Sequence, residues 1–338
     1  MAADLNPTNG EQYELSQEQI EHFLEHGWIK LSNCFTREQA NGLQETLWTR
    51  LGMDPEDMST WHTERTNMPH HTSFPVSTFA PKAWSAIQSL LTPSTPDPSA
   101  STWKDGFIVN LGTPAGHNTH IPPQELTGWH VDGDFFVHYL DSPEQALLVI
   151  PLWTDIVPGG GGTFICPAAI PHVAKHLAEN PEGVSPRMSP RAQNPTFKQE
   201  PGLAWFNALA AGMPDSAFVE ATGVVGDVYL LHPLMLHSAS NNELRKVRVI
   251  TNPPVSVTEP FCFDREDGKY SVVERKTLRA LGKDSLPGWK IEAERQGVVP
   301  ERVRIQEEMK RKEEERLRKL KEGGNGVEAA KQVEGVGA

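Results

Sequence analysis

GDVYLLHPLMLHSASNNELRKVRV, residues 226–249, holds the succession of features on which the reading of this chain turns. An apolar strand-like run leads to His237, SASNN is turn-forming, and a second strand is opened by Arg245, Lys246 and Arg248. A hairpin is expected to bring the two strands side by side. His232 competes with His237 for a functional role, but it lies five residues earlier, so on a regular strand it faces the other way. It is read as a structural histidine, since a lone histidine more often satisfies packing than binds a ligand.

About a hundred residues upstream stands GWHVDGD, residues 128–134. On extended chain alternate side chains share a face, so His130 and Asp132 can converge on one ion. Alone this is a weak signal: with 13 His and 44 acidic residues, His-x-Asp/Glu arises by chance, and a surface hydrogen-bonded pair is the plain alternative. Joined by His237 it becomes a set of two histidines and one carboxylate, the arrangement associated with non-haem iron oxygenases. Such an iron keeps three open positions, two for a chelating 2-oxoacid and one for dioxygen. A 2-oxoacid with a distal carboxylate needs a fixed cation at its far end, and a planar guanidinium matches a carboxylate better than an ammonium does. Arg248 is the candidate, against the alternative of an exposed strand arginine.

Outward from these clusters, GFIVNLG (106–112), the stretch after Trp129, ALLVIPLW (146–153), GTFICP (162–167), DVYLLH (227–232) and RVITNPPVSV (248–257) read as short strands between Gly, Pro, Asn and Asp. They follow a helical preface. Ser16 and Gln19 form a capping box before Ile20, Phe23 and Leu24, with Gly27 to end the helix; WIKLS (28–32) is a strand; Thr36 and Gln39 repeat the box before a helix to about Leu51. Pro81–Leu91 and 168–180 have helical spacing, whereas 54–79 reads as a long loop. The composition therefore predicts a mainly β chain, a sandwich or jelly roll with flanking helices. The expected organisation is a flexible N-terminus at 1–15, one domain over 16–299 behind its helical preface, and a charged helix with a disordered tail at 300–338, solvated on all sides.

The formal net charge of −13 argues against nucleic acid as partner, because phosphate affinity comes from Lys and Arg. No run approaches membrane-spanning length, and MAADLNPTNGEQYELS has neither a basic start nor an apolar stretch, so a cytoplasmic location without a membrane or obligate protein partner is expected. Cys34, Cys166 and Cys262 are odd in number and far apart, which fits a reducing compartment and excludes a thiolate cluster. The glycine run Gly159–Gly162 is not a phosphate cradle, since no Lys-Ser/Thr follows.

These residues resemble the phytanoyl-CoA dioxygenase-like 2-oxoglutarate oxygenases. The resemblance rests on EHFLEHGWIKLSNCFT, WHVDGD, PLWTDIVPGGGGTFICP, GDVYLLHPLMLHSASNN and an arginine eleven residues after His237, and covers roughly residues 16 to 257. It implies a double-stranded β-helix (a cupin-like jelly roll) with His130, Asp132 and His237 on Fe(II), Arg248 on 2-oxoglutarate, and O2 as the other co-substrate. The implied reaction is hydroxylation of a C–H bond of a small-molecule substrate with release of succinate and CO2. Trp153 looks like the family's aromatic wall beside the co-substrate, Thr163 matches a position that contacts it in some members, and Asn110 sits where a polar residue often lines the pocket; each has a packing alternative. The sequence departs from the family at Ala239, where a small hydroxyl residue is frequent. The loops 54–79, 113–127 and 183–220 are the expected walls and lid, with Trp61, Trp103, Trp205, Phe206, His62, His70, His71, Arg187 and Arg191 among them. A non-catalytic jelly-roll binding protein is the alternative from another class, and a zinc hydrolase is a third reading in which Arg248 has no task.

Overall fold

Ser16 accepts from the Gln19 N–H at 3.2 Å while the Gln19 side chain accepts from the Ser16 N–H at 2.9 Å, closing the first turn of α1, Gln17–His26. Gly27, at φ 73°, ends the helix by donating to the Phe23 carbonyl, and β1 (Trp28–Leu31) follows directly. The structure, a computed structural model, describes residues 13–194 and 202–334, with side chains as far as 322. The expectations for a flexible start, for part of the lid and for the end of the tail fall on 1–12, 195–201 and 335–338, outside the described residues.

The helix expected from Thr36 is two: α2 (Arg37–Gln44), behind its capping box, and α3 (Leu47–Leu51), separated where Thr46 leaves helical backbone at φ −98° and ψ 3°. The other helices are α4 (Val76–Phe79), α5 (Pro81–Leu91), α6 (Ile170–Ala178), α7 (Ala204–Ala211), α8 (Val272–Ala280) and α9 (Arg302–Glu334). None of the described helices is long and apolar enough to cross a membrane. The strands after β1 are β2 (Arg65–Asn67), β3 (Ser73–Pro75), β4 (Thr102–Lys104), β5 (Ile108–Asn110), β6 (Leu147–Pro151), β7 (Thr163–Cys166), β8 (Val219–Ala221), β9 (Val228–Leu231), β10 (Leu236–Ala239), β11 (Arg248–Ile250) and β12 (Pro254–Val255).

All these strands pair antiparallel, in sheets of order β1-β9-β6-β12, β10-β7-β8, β11-β5-β2 and β3-β4. Leu152, just past β6, bridges Ile250 at the end of β11, so the first and third sheets meet there. Every residue of β6 and β9 is buried, which is why LLVIP and VYLL are continuously apolar instead of alternating. Outside this sheet α1, α5 and α6 pack on α8. That last helix was missed in the sequence, although Ser271-Val-Val-Glu274 is a capping box and both of its hydrogen bonds form.

Five expectations are corrected. Residues 54–79 are not one long loop: β2 and β3 lie within it, too short and polar to show a period, and they exist because β5 and β4 offer them partners. The stretch after Trp129 is not a strand; only His130 pairs, in a single bridge to His237. The strands around SASNN do not form a hairpin, because β10 pairs with β7 and β11 with β5. Asn242 holds that connection, its side chain donating to the carbonyls of Asn110 and Lys246, and the chain crosses from one sheet to another. Within 183–220, α7 is a buried-face helix carrying Phe206 and Ala210 inward. Finally, α9 is not solvated on all sides: Glu313 is 1% exposed, ion-pairs with Arg50 at 3.0 Å and stands 2.8 Å from His71 Nε2. Arg50 also pairs with Asp105 at 2.9 Å, so the buried charges are mutually compensated.

Candidate metal centre

The antiparallel bridge between His130 and His237, with backbone hydrogen bonds of 3.0 and 2.9 Å, places the two imidazoles directly opposite each other, ring centroids 4.2 Å apart. His130 Nδ1 lies 2.8 Å from the Gly128 carbonyl and His237 Nδ1 lies 3.0 Å from the Met235 carbonyl. A carbonyl only accepts, so each Nδ1 carries a proton and Nε2 is the nitrogen that each ring turns toward Asp132. Those Nε2 atoms stand 3.5 and 3.6 Å from Asp132 Oδ1. One ligand atom from each of the three residues falls within 4.8 Å of the others. The second Asp132 oxygen accepts from Asn252 Nδ2 at 3.3 Å, a partner that the sequence reading missed and that nothing in the spacing announces.

Electrostatically this cluster is a receptor for positive charge. Burial pushes the Asp132 carboxyl up, but hydrogen bonds and charge from His130 and His237 outweigh it and hold the group below the ordinary carboxylate range. For His130, burial works downward and is overcome by Asp132 and the Gly128 carbonyl, so its pKa is raised; Arg187 opposes this with its own charge. Two imidazoles that turn Nε2 to one point beside an ionised carboxylate are a donor set suited to a divalent transition metal, which would take the place of any proton on Nε2, and the carbonyl partners on Nδ1 are the supporting contacts such ligands need.

Arg248 opens β11 opposite Asn110 of β5. It is 2% exposed, yet among the described residues no carboxylate lies within ion-pairing distance. Its Nη2 donates to the Thr163 hydroxyl at 2.8 Å, its Nη1 donates to the Ile108 carbonyl at 3.4 Å, and its Nε has no partner. Burial, then the charge of Arg65, pushes its pKa down to about 9, against the pull of Glu220. A buried guanidinium with an unused donor is costly unless an anion completes it. Thr163 pairs with Ala239 and Ile165 with His237, so Thr163 and His237 share a face, and the hydroxyl that holds Arg248 belongs to the wall that carries His237.

The other candidate positions divide. Asn110 is fully buried, but its Oδ1 accepts from the Gly112 N–H and its Nδ2 donates to the Ser240 carbonyl, both at 3.1 Å, so it ties β5 to the SASNN turn. Trp153 is buried, its indole N–H donates to the Thr251 hydroxyl at 3.0 Å, and its ring sits among Phe35, Phe79 and Phe107. Core packing accounts for these contacts. Loop residues behave likewise: Trp103 and Phe206 are buried, and Trp61 stacks on Trp48 at 5.7 Å beneath Arg245. Arg187 is half-buried on a tight turn whose Val184 bridges His138.

His232 is fully buried and neutral. Its Nδ1 accepts from the Leu234 N–H, so its Nε2 donates to the Thr277 hydroxyl at 2.9 Å. Burial, aided by the charge of Lys276, pushes its pKa down to about 3, and burial pushes that of His138 down to about 4. Both folded values lie below the free value of 6.5, so the stability that neutral burial provides is complete above pH 6.5 and is lost as pH falls toward 4 and 3. Between pH 7.5 and 5 the unfolding free energy of the wild type is expected to drop by about 2 kcal/mol more than that of His232→Gln, read from denaturant melts. Equal drops would show that His232 titrates as it does in water.

No family model matches the chain, and no curated protein does. Among solved structures, HygX from Streptomyces hygroscopicus with nickel and 2-oxoglutarate bound is 11% identical, over 72% of this chain and 88% of its own, at a TM-score of 0.40. SnoK, described as a non-heme alpha ketoglutarate dependent carbocyclase from nogalamycin biosynthesis, is 15% identical over 84% of this chain and 97% of its own, at 0.37. A hypothetical protein from Escherichia coli is 14% identical over 80% and 82%, at 0.43. Likenesses this distant decide nothing about the centre, whose reading rests on the chain's own residues.

Proposed function

We propose that this chain is an Fe(II)- and 2-oxoglutarate-dependent dioxygenase built on a double-stranded β-helix, of the phytanoyl-CoA dioxygenase-like kind, hydroxylating a C–H bond of a small organic molecule. The observation that carries the reading is the pairing of three convergent ligand atoms with a buried Arg248 that has no carboxylate partner among the described residues. 2-Oxoglutarate with iron(II) completes both. His130, Asp132 and His237 would hold the metal, with Asn252 steadying Asp132, and Arg248, oriented by Thr163, would receive the distal carboxylate. Bound iron(II) supplies the activation of dioxygen, with one oxygen atom going to the substrate and one to succinate as CO2 leaves. Asp132 occupies the ligand position that a halogenase vacates for halide, which favours hydroxylation. A zinc hydrolase leaves Arg248 without a task.

Anaerobically iron-loaded protein is expected to develop the metal-to-ligand charge-transfer absorption of the 2-oxoglutarate complex, and to release succinate slowly when oxygen is admitted without any further substrate. His130→Ala should abolish both signals. Iron binding without the absorption band, together with no succinate, would favour the non-catalytic binding protein.

A further inference from the structure

Asp132 is the one member of the triad that no strand pairing holds. The chain leaves the bridge at His130, and Asp132 lies in a bend. Three contacts fix the chain immediately beyond it. His138 Nε2 stands 2.8 Å from the Gly133 carbonyl; segment 296–298 pairs with 135–137 through hydrogen bonds of 2.9 and 2.7 Å; and Arg302 grips Asp134 with two donors, Nε at 2.5 Å and Nη2 at 2.7 Å. The last two come from the C-terminal part of the chain. Glu313, eleven residues along α9, is locked between Arg50 and His71 on the far side, so α9 is a strap anchored at one end in the N-terminal helices and at the other in the ligand loop.

Arg302 is badly placed for the helix itself. It occupies the first turn, where the helix dipole disfavours positive charge, and no acidic residue shares that turn. A half-exposed ion pair also adds little to global stability. Its planar fork instead fixes the orientation of Asp134, two residues from the metal ligand. Resting on the metal-centre reading above, we infer that Arg302 is a positioning residue: through Asp134 it sets the place of Asp132, which makes the C-terminal helix a working part of the metal centre.

The sign of the effect separates positioning from through-space charge. Removing a positive charge near a cation site should by itself tighten metal binding, whereas loss of the grip on Asp134 should weaken it. Cobalt(II) titration of the full chain is expected to show Arg302→Gln binding about 10-fold more weakly than wild type, with an altered visible d–d spectrum. Asp134→Asn should match it, and the double variant should be no worse than either single one, because both changes break the same contact. Arg302→Lys, which keeps the charge but loses the fork, should restore only part of the affinity. Unchanged or tighter cobalt binding by Arg302→Gln, with the wild-type spectrum, would overturn the inference while leaving the metal centre standing. Failure of the wild type to bind cobalt would overturn both.

Discussion

Arg248→Met is expected to raise the dissociation constant for 2-oxoglutarate by roughly 100-fold or more while leaving metal affinity within about 2-fold. Losing one partner of a buried, hydrogen-bonded charge pair costs ~2–5 kcal/mol, and among the described residues the guanidinium has no other carboxylate to serve. Methionine fills similar volume without a charge to desolvate, so the midpoint of thermal unfolding without co-substrate should hold or rise. Arg248→Lys should fall between the two, because an ammonium reaches the carboxylate as a point charge without the paired geometry and leaves Thr163 without its 2.8 Å donor. Anaerobic titration of the charge-transfer band measures all three. Equal 2-oxoglutarate affinity in Arg248→Met would mean that the buried guanidinium serves the fold and that the co-substrate assignment is wrong.

His237→Ala is expected to lower metal affinity and turnover by about 1000-fold, some 4 kcal/mol, because it removes one of the three convergent ligand atoms. The informative comparison is with His232→Gln. That histidine is equally buried and closer to the end of β9, but both of its nitrogens are engaged, with Leu234 and Thr277, so metal affinity should stay within about 2-fold. Iron or cobalt titration of the two variants decides between them. Retained metal binding in His237→Ala, or its loss in His232→Gln, would reverse the assignment of the two histidines.

How much of this could be read in advance depends on the range of the interaction. Capping boxes at Ser16 and Thr36, the glycine stop at Gly27 and the helix from Pro81 are local, settled by neighbours within a turn, and they stand where the pattern puts them. The one at Ser271 was equally readable and was passed over. His130, Asp132 and His237 could be picked out because metal ligation restricts residue types severely, and a convergent set needs only a short spacing and one distant histidine. Strand periodicity does not separate His232 from His237, because a turn parts β9 from β10 between them; the bond of His232 to Thr277 and the bridge of His237 to His130 do.

Other features are properties of pairing and packing across the chain. Strands of three residues such as β2 and β3 carry no period of their own and appear only when β5 and β4 offer an edge. The departure from a hairpin at SASNN depends on Asn242 reaching Asn110, 132 residues away in sequence. Trp153 reads equally as a pocket wall or a core residue, and only the fold brings the rings of Phe35, Phe79 and Phe107 around it. The charged run after Pro300 reads as solvated because charge usually means water, and only a buried Arg50 some 260 residues earlier turns Glu313 inward. By itself, then, the sequence determined which residues could hold a cation and an anion, since that chemistry is written in residue type and local spacing. The tertiary structure decided which face each side chain takes, which strands are neighbours, and that Arg302 returns to grip the loop of Asp132 and Asp134, because those outcomes are set by contacts between segments that are remote along the chain.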